Sequence, residues 1–450
     1  MTCKHTKLIF EPSPHAEIIG YQRHTAQKRA AAAVSATIRK DFSDENDILN
    51  STFPGPLVLP DDALSIDPRC PPQSLRSWLR LKDRNEVTSD KNVIYIAAPP
   101  DMDSDVKFMQ SWTHPQIKSK SLPVPKPRIA DVIDYLTAFY HGLQVKILPP
   151  PKLCFTSWDA GTAPKRSKSK SSKPTIPSYI GLNTHTECVR IRSRPSSDDI
   201  FPAQLNLDDL LDAAMGILPE DAYALLLLVN HDLYEDDDDA FVCGRAYGGS
   251  RVAVISTARY NPLLDDIQNV EREHSWPASH CESYMRACCE TTDPSSSRPK
   301  KKFKLQKVDP DHSKSPPQPS TSPILQALSA HTALPAFDTS SSPTTLSGLW
   351  LGRVCRTASH ELGHCFGMEH CVYYACVMQS TSNLGEDARQ PPYLCPVDLA
   401  KMLHSTRSTA EARYQALLAF CDQHEDVHLF AAFAAWIRAH LTIEYPQLSS

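Results

Sequence analysis

The sequence has little glycine, no long apolar run and no large excess of charge of either sign. Only 14 of its 450 residues are glycine, and its net charge is −5. The longest apolar runs, at 223–229 and 430–437, are far too short to cross a bilayer. The small net charge gives no overall indication of nucleic acid or of a membrane surface as a partner. We therefore expect no membrane segment and no nucleic-acid partner.

The start of the chain, MTCKHTKLIFEPSPH, lacks the apolar core of a secretory signal. Without such a signal, 14 cysteines indicate a reducing compartment, in which thiols serve as metal ligands or as core residues. We expect a cytoplasmic or nuclear protein.

Proline is abundant, with 38 residues, and it clusters with serine in segments expected to be unstructured. The region 1–90 is expected to be largely irregular, and unstructured over much of 1–60 apart from an alanine-rich helix near 27–35. Two low-complexity insertions are expected at 160–178 and 291–342, and both carry basic runs. The run at 298–307 is either a nuclear-import or polyanion-binding patch, or solvated charge that keeps a loop soluble.

Between these segments, short apolar strands alternate with amphipathic helices. The segment 223–229 reads YALLLLV, which is typical of a central strand covered on both faces. The other expected strands are 92–97, 145–148, 188–192, 241–247 and 251–256. The expected helices are 129–143, 205–218, 345–366, 396–404, 409–421 and 430–441. The pattern predicts an α/β domain at 91–420, with a mixed sheet, a long helix at 345–366 packed on that sheet and a small helical C-terminal subdomain, followed by a C-terminal helix within 421–450.

The segment 360–370 reads HELGHCFGMEH and is the most informative part of the chain. In a helix, His360 and His364 project from one face and can bind one zinc ion, with Glu361 beside them to handle a proton. Gly367 can adopt a left-handed conformation that ends the helix and brings His370 back as a third ligand. Three histidine ligands leave a fourth position for water, as in catalytic zinc sites. Zinc would lower the pKa of that water, and Glu361 would accept its proton as general base.

This motif and the residues after it resemble the metzincin metallopeptidases, and among them the archaemetzincins. The resemblance covers roughly residues 90–420 without the insertions, and its diagnostic residues are His360, Glu361, His364, Gly367, His370, Cys371, Cys376, Met378 and Cys395. It implies a metzincin-like fold, a peptide substrate and a catalytic zinc, with Met378 in a tight turn beneath the metal.

The resemblance also implies a second, structural zinc held by four cysteines. This chain has Cys371, Cys376 and Cys395, but Asp398 stands at the fourth position. The fourth ligand is then Asp398, since zinc accepts carboxylates, or water, or His404. Alternatively no second metal binds, and the cysteines are small buried residues.

In metzincins an edge strand above the cleft pairs with the substrate backbone. The strand around Phe241, Gly244 and Ala246 is the candidate here, although it could equally be an ordinary edge strand. The sequence therefore predicts a zinc-dependent peptidase. The alternative is a non-catalytic zinc-binding protein that uses the same fold to hold peptides. The oligomeric state is not predicted.

Overall fold

A computed structural model describes residues 3, 5, 7–35, 47–117, 123–158, 176–290, 322–337 and 341–444. Most of the insertions predicted at 160–178 and 291–342, including both basic runs, lies outside these residues. The described part of the chain contains no helix long and apolar enough to span a membrane.

The described chain forms helices and strands in a mixed order. The helices are α1 (Pro14–Ile18), α2 (Ala26–Ala32), α3 (Asp47–Thr52), α4 (Ala63–Ile66), α5 (Leu75–Leu79), α6 (Ile129–Phe139), α7 (Leu207–Gly216), α8 (Glu282–Glu290), α9 (Pro323–Ala333), α10 (Pro343–Cys365), α11 (Leu384–Arg389), α12 (Pro396–Thr406), α13 (Ala410–Asp422) and α14 (His428–Glu444). The strands are β1 (Val93–Ala97), β2 (Asp101–Met102), β3 (Gln144–Ile147), β4 (Cys154–Ser157), β5 (Tyr179–Asn183), β6 (Cys188–Pro195), β7 (Ala203–Asn206), β8 (Ala222–Val229), β9 (Asp232–Tyr234), β10 (Gly244–Tyr247) and β11 (Val252–Ser256).

The first sheet has five strands in the order β10-β11-β8-β1-β3. All of its pairs are parallel except β10 with β11, which is antiparallel and puts β10 at the edge. Every residue of β8 is buried, as its apolar run predicts. Leu226 and Leu228 face the core under helix α10, while Leu225 and Leu227 face the core that the second sheet covers. The strand is apolar throughout because both of its faces are covered.

The second sheet has the order β2-β4-β5-β6-β7-β9 and is antiparallel in its centre. Of its strands, the sequence pattern predicted only β6. The helix expected from 205 begins instead at Leu207, because Leu205 belongs to β7 and Asn206 caps the helix by accepting from the Asp209 backbone N–H. The protein is thus a mixed α/β fold with two mixed sheets and helices packed against them.

Two segments that were expected to be unstructured are packed into the fold within the described residues. Helix α9 lies inside the segment predicted to be unstructured up to 342, and it packs against α14. Residues before 60 also pack into the fold: Phe53 and Leu59 are buried, and Phe53 contacts the ring of Trp436 edge-on. Both proline-rich segments lie against the core of the rest of the domain. Their few apolar side chains are buried there, and this burial stabilises the packed arrangement.

Candidate metal centre and cleft

Helix α10 carries the histidine motif, and its ends are set by local sequence. The Ser342 hydroxyl accepts from the Thr345 backbone N–H at 3.1 Å, and Pro343 occupies the first turn, where a missing N–H costs nothing. Gly367, with φ of +73°, lies just after the helix and turns the chain back. The predicted helix at 345–366 is confirmed, with its start two residues earlier.

The three histidines come together at the end of this helix. One nitrogen of each of His360, His364 and His370 lies within 4.8 Å of the others. The His360 Nδ1–H donates to the Val377 carbonyl and the His364 Nδ1–H to the Met368 carbonyl, each at 2.7 Å. These bonds leave both Nε2 atoms with their lone pairs directed inward.

The two Nε2 atoms are 3.1 Å apart, which is an unfavourable contact between lone pairs unless a cation lies near both. A shared proton is disfavoured, because burial lowers the pKa of both His360 and His364. Burial likewise lowers the pKa of His370 to about 4. Neutral, convergent imidazoles are what a zinc ion requires, so the residues present fit a zinc ion.

Glu361 lies between the first two histidines in sequence and lines the same cleft. Its side chain is buried and has no hydrogen-bond partner among the described residues. Burial raises the pKa of Glu361 to about 8, and Arg245 opposes this shift. A bound cation would lower that pKa again.

Met378 lies beneath the helix in a turn tied to the third histidine's segment. The Cys371 backbone N–H donates to the Met378 carbonyl at 2.8 Å. A Cβ atom placed on Gly363 would be 2.5 Å from the Met378 sulfur. The missing side chain of Gly363 lets the methionine pack directly against the helix. Cys365, which lies between the histidines in sequence, is fully buried.

The structure also brings together Cys371, Cys376, Cys395 and Asp398, whose ligand atoms all lie within 4.8 Å of one another. Asp398 Oδ2 is 3.5 Å from the Cys376 sulfur and 3.4 Å from the Cys395 sulfur. All four side chains are buried, and burial raises the pKa of Asp398 to about 6. His404 is not part of this group and packs its ring against Trp78 instead.

A chain of hydrogen bonds, which the sequence did not predict, links the Cys371–Asp398 group to the turn that carries His370. Asp398 Oδ1 accepts from the buried Lys401 Nζ at 2.8 Å, and the same Nζ donates to Gln73 Oε1 at 2.8 Å. The Gln73 side chain in turn donates to the Gly367 carbonyl and accepts from the Glu369 backbone N–H. A glutamine far away in sequence thus holds the turn between His364 and His370. The three-residue spacing of Asp398 and Lys401 on one helix was the available signal.

Two arginines of helix α10, also missed, fix it to the rest of the fold. Arg353 forms a bidentate ion pair with Asp265 at 2.7 and 2.8 Å, and Arg356 contacts Asp387 at 2.9 Å. All four side chains are buried. Arginines in a helix that is otherwise expected to be buried indicate that each has a buried acidic partner, and this was the signal available in the sequence.

The histidines and Glu361 lie in a cleft of about 1270 Å³. Phe241, Gly244 and Ala246 line it as well. The strand that was expected from 241 begins only at Gly244, so Phe241 precedes it, and its ring lies 4.2 Å from the Arg259 guanidinium carbon.

Comparison with known proteins agrees with the features of this site. Residues 340–403, which contain the helix, the histidines, Met378 and the cysteine group, match the family model of Peptidase family M54. The chain is 25% identical to archaemetzincin-2 of Pongo abelii over 415 residues, which cover 89% of this chain and 87% of that protein. It is 24% identical to archaemetzincin-2 of Homo sapiens over 414 residues, with the same coverage of both chains.

Among solved structures, the archaemetzincin of Methanopyrus kandleri is similar with a TM-score of 0.31 and 18% identity, covering 71% of this chain and 98% of that one. The family match and the relatives confirm the resemblance that the motif residues indicated.

Proposed function

We propose, from its similarity to archaemetzincins and to the model of Peptidase family M54, that this chain is a zinc-dependent peptidase. The observation that carries the proposal is the convergence of three neutral imidazoles beside the buried Glu361 carboxylate, which has no hydrogen-bond partner within the described part of the chain. His360, His364 and His370 would hold the ion, and Glu361 would act beside it. A purely structural zinc site has no use for such a carboxylate.

A zinc ion bound there would polarise a carbonyl group and lower the pKa of water. The chain's own contribution is then proton handling by Glu361. Its buried carboxylate can accept a proton from the attacking water and deliver it to the departing amine. A neutral amine leaves far more readily than its anion, so this second step matters as much as the first.

The hydrogen bonds around the histidines support this role, because catalytic geometry has to be held before the substrate arrives. The carbonyls of Val377 and Met368 fix the orientation of two rings, and Gln73 fixes the turn that carries the third. Met378 supports the helix from below.

Strand β10 is proposed to bind the substrate backbone. It pairs with β11 along one edge, and no other strand of the described residues pairs with its second edge. An extended peptide could add to this edge by main-chain hydrogen bonds, which give affinity with modest sequence preference. Gly244 and Ala246 line the cleft and leave room for the peptide.

A second, structural zinc is proposed for Cys371, Cys376, Cys395 and Asp398. The four ligand atoms lie close together, which supports the proposal. In addition, the two oxygens of Asp398 have different partners, because Oδ2 lies near the sulfurs while Oδ1 accepts a hydrogen bond from Lys401. Because zinc accepts a carboxylate oxygen alongside thiolates, the departure from four cysteines is compatible with binding.

The test is the cleavage profile of the zinc-loaded protein on a diverse peptide pool, read by mass spectrometry. We expect new peptide termini that vanish with a chelator and return with zinc. Peptides that bind in a zinc-dependent manner without any cleavage would instead support the non-catalytic alternative. Cleavage that survives complete removal of zinc would refute the proposal.

A further inference from the structure

A third group of metal-ligating side chains lies outside the proposed peptidase centre and shares no residue with it. It consists of Cys3, His274 and Cys281, with one ligand atom of each within 4.8 Å of the others. The two sulfurs are 3.6 Å apart, and both cysteines are free thiols. A disulfide bond would need about 2.05 Å.

The backbone brings these residues together. The Ile9 N–H donates to the His280 carbonyl at 2.8 Å, and the Glu282 N–H donates to the Lys7 carbonyl at 3.0 Å. These bonds align residues 7–9 against 280–282, so that Cys3 reaches Cys281. The Cys3 backbone N–H donates to the Glu273 carboxylate, which fixes the other side of the contact.

His274 supplies the independent observation that points to a ligand. Its Nδ1–H donates to Glu271 Oε1 at 2.8 Å, while its Nε2 is buried and has no hydrogen-bond partner among the described residues. Only 7% of the residue is exposed. A buried polar atom without a partner is costly. A carboxylate on one ring nitrogen and a metal on the other is the usual arrangement of metal-bound histidines.

His5 lies beside this group, although its ring nitrogens are not among the ligand atoms that lie within 4.8 Å of one another. Its Nε2 is also buried without a hydrogen-bond partner in the described chain. Its ring centroid lies 5.1 Å from that of His274. Two thiols and two imidazoles form the donor set that zinc prefers in closed, structural sites.

We propose that Cys3, Cys281 and His274 bind a structural zinc ion that fastens the N-terminal segment to the body of the protein, and that the His5 ring moves closer to become the fourth ligand when the ion binds. Cys3 and Cys281 are 278 residues apart in sequence. Binding there removes much of the freedom of the segment that precedes helix α1. The carboxylates of Glu271 and Glu273 orient the ligands, since one holds the His274 ring and the other the Cys3 backbone.

The first test is the zinc content of the full-length protein by elemental mass spectrometry. We expect Cys3→Ser to lose about one zinc per chain relative to wild type and to have a lower melting temperature, because a structural zinc ion contributes folding free energy. Cys188→Ser is the matched control, because Cys188 is an exposed thiol outside every metal-ligating group of the described residues. Equal zinc content in Cys3→Ser and Cys188→Ser would overturn the proposal.

The second test identifies the ligands site by site. Zinc-loaded protein is treated with a maleimide, and labelling of each cysteine is followed by peptide mass spectrometry. We expect Cys3 to react much more slowly than Cys188 in the wild type. His274→Ala should accelerate labelling of Cys3 while Cys376 stays protected. Unchanged labelling of Cys3 in His274→Ala, or a Cys3–Cys281 disulfide in freshly reduced protein, would contradict a metal site.

Discussion

Gly363 and Met378 are in direct contact across the interface between the histidine helix and the turn beneath it. A Cβ atom on Gly363 would meet the methionine sulfur at 2.5 Å and its methyl carbon at 2.9 Å. Gly363 lies one residue before His364, so the packing beneath the helix and the placement of a proposed zinc ligand are set by the same contact.

Gly363→Ala should destabilise the protein. In an exposed helix this change would stabilise by up to about 1 kcal/mol, whereas overpacking a filled core costs about 1–3 kcal/mol. We expect a lower free energy of unfolding in chemical denaturation and weaker zinc retention. Gly249→Ala is the control, because a Cβ there meets nothing within 4 Å. A Gly363→Ala protein as stable as the control would show that the methionine moves aside freely.

Glu361→Gln should separate metal binding from chemistry. The amide keeps the shape of the side chain but cannot accept the proton, so we expect zinc to be retained and peptide hydrolysis to fall by about 10²–10⁴-fold. Zinc content and the rate of cleavage of a fluorogenic peptide give the two readouts. His360→Ala is the contrasting variant and should lose the metal together with the activity. Near-normal hydrolysis by Glu361→Gln would rule out this residue as the base.

Asp398→Ala should lose about one zinc per chain, because it removes the proposed fourth ligand. It also leaves the buried Lys401 ammonium without its carboxylate, so we expect a clear loss of stability. Asp398→Cys should retain the zinc, since it supplies a thiolate at the same position. Asp422→Ala serves as the control, because its ion pair with Arg438 is exposed. If Asp398→Ala kept its full zinc content, the carboxylate would not be a ligand.

The free energy of unfolding should depend on pH through the ionisation of Glu386. Its buried Oε2 accepts from the backbone N–H groups of Ala63 and Ser382, each at 2.8 Å. Burial, with the nearby Asp62 carboxylate, raises the pKa of Glu386 to about 7, above its ordinary 4.5. The folded state therefore favours the protonated form. The stability contributed by that form is complete below pH 4.5 and is lost as the pH rises through 7.

The matched variant is Glu386→Gln, which stays neutral. We expect the free energy of unfolding of Glu386→Gln, relative to wild type, to increase between pH 5 and pH 8 by on the order of 1–3 kcal/mol. Denaturation curves of both proteins at each pH provide the measurement, and metal loss affects both alike. A difference that stays constant or decreases with pH would show that the carboxylate ionises freely in the folded protein.

The sequence by itself determined the features that depend on neighbours within a few residues. The spacing of His360 and His364 and the turn at Gly367 follow from the geometry of a single helix and its end. The buried strand β8 is recognisable because both of its faces must be apolar.

Tertiary structure decided the features whose partners are far apart in sequence. Strand β4 pairs with β5 across a long insertion, and no local pattern encodes that register. Gln73 reaches Gly367, and Cys3 meets Cys281, only because the chain folds back on itself. A hydrogen bond or a metal ligand set depends on distances of a few ångströms, and these exist only after the layers have packed. The sequence therefore specified the proposed catalytic residues, while folding selected the residues that hold them in place.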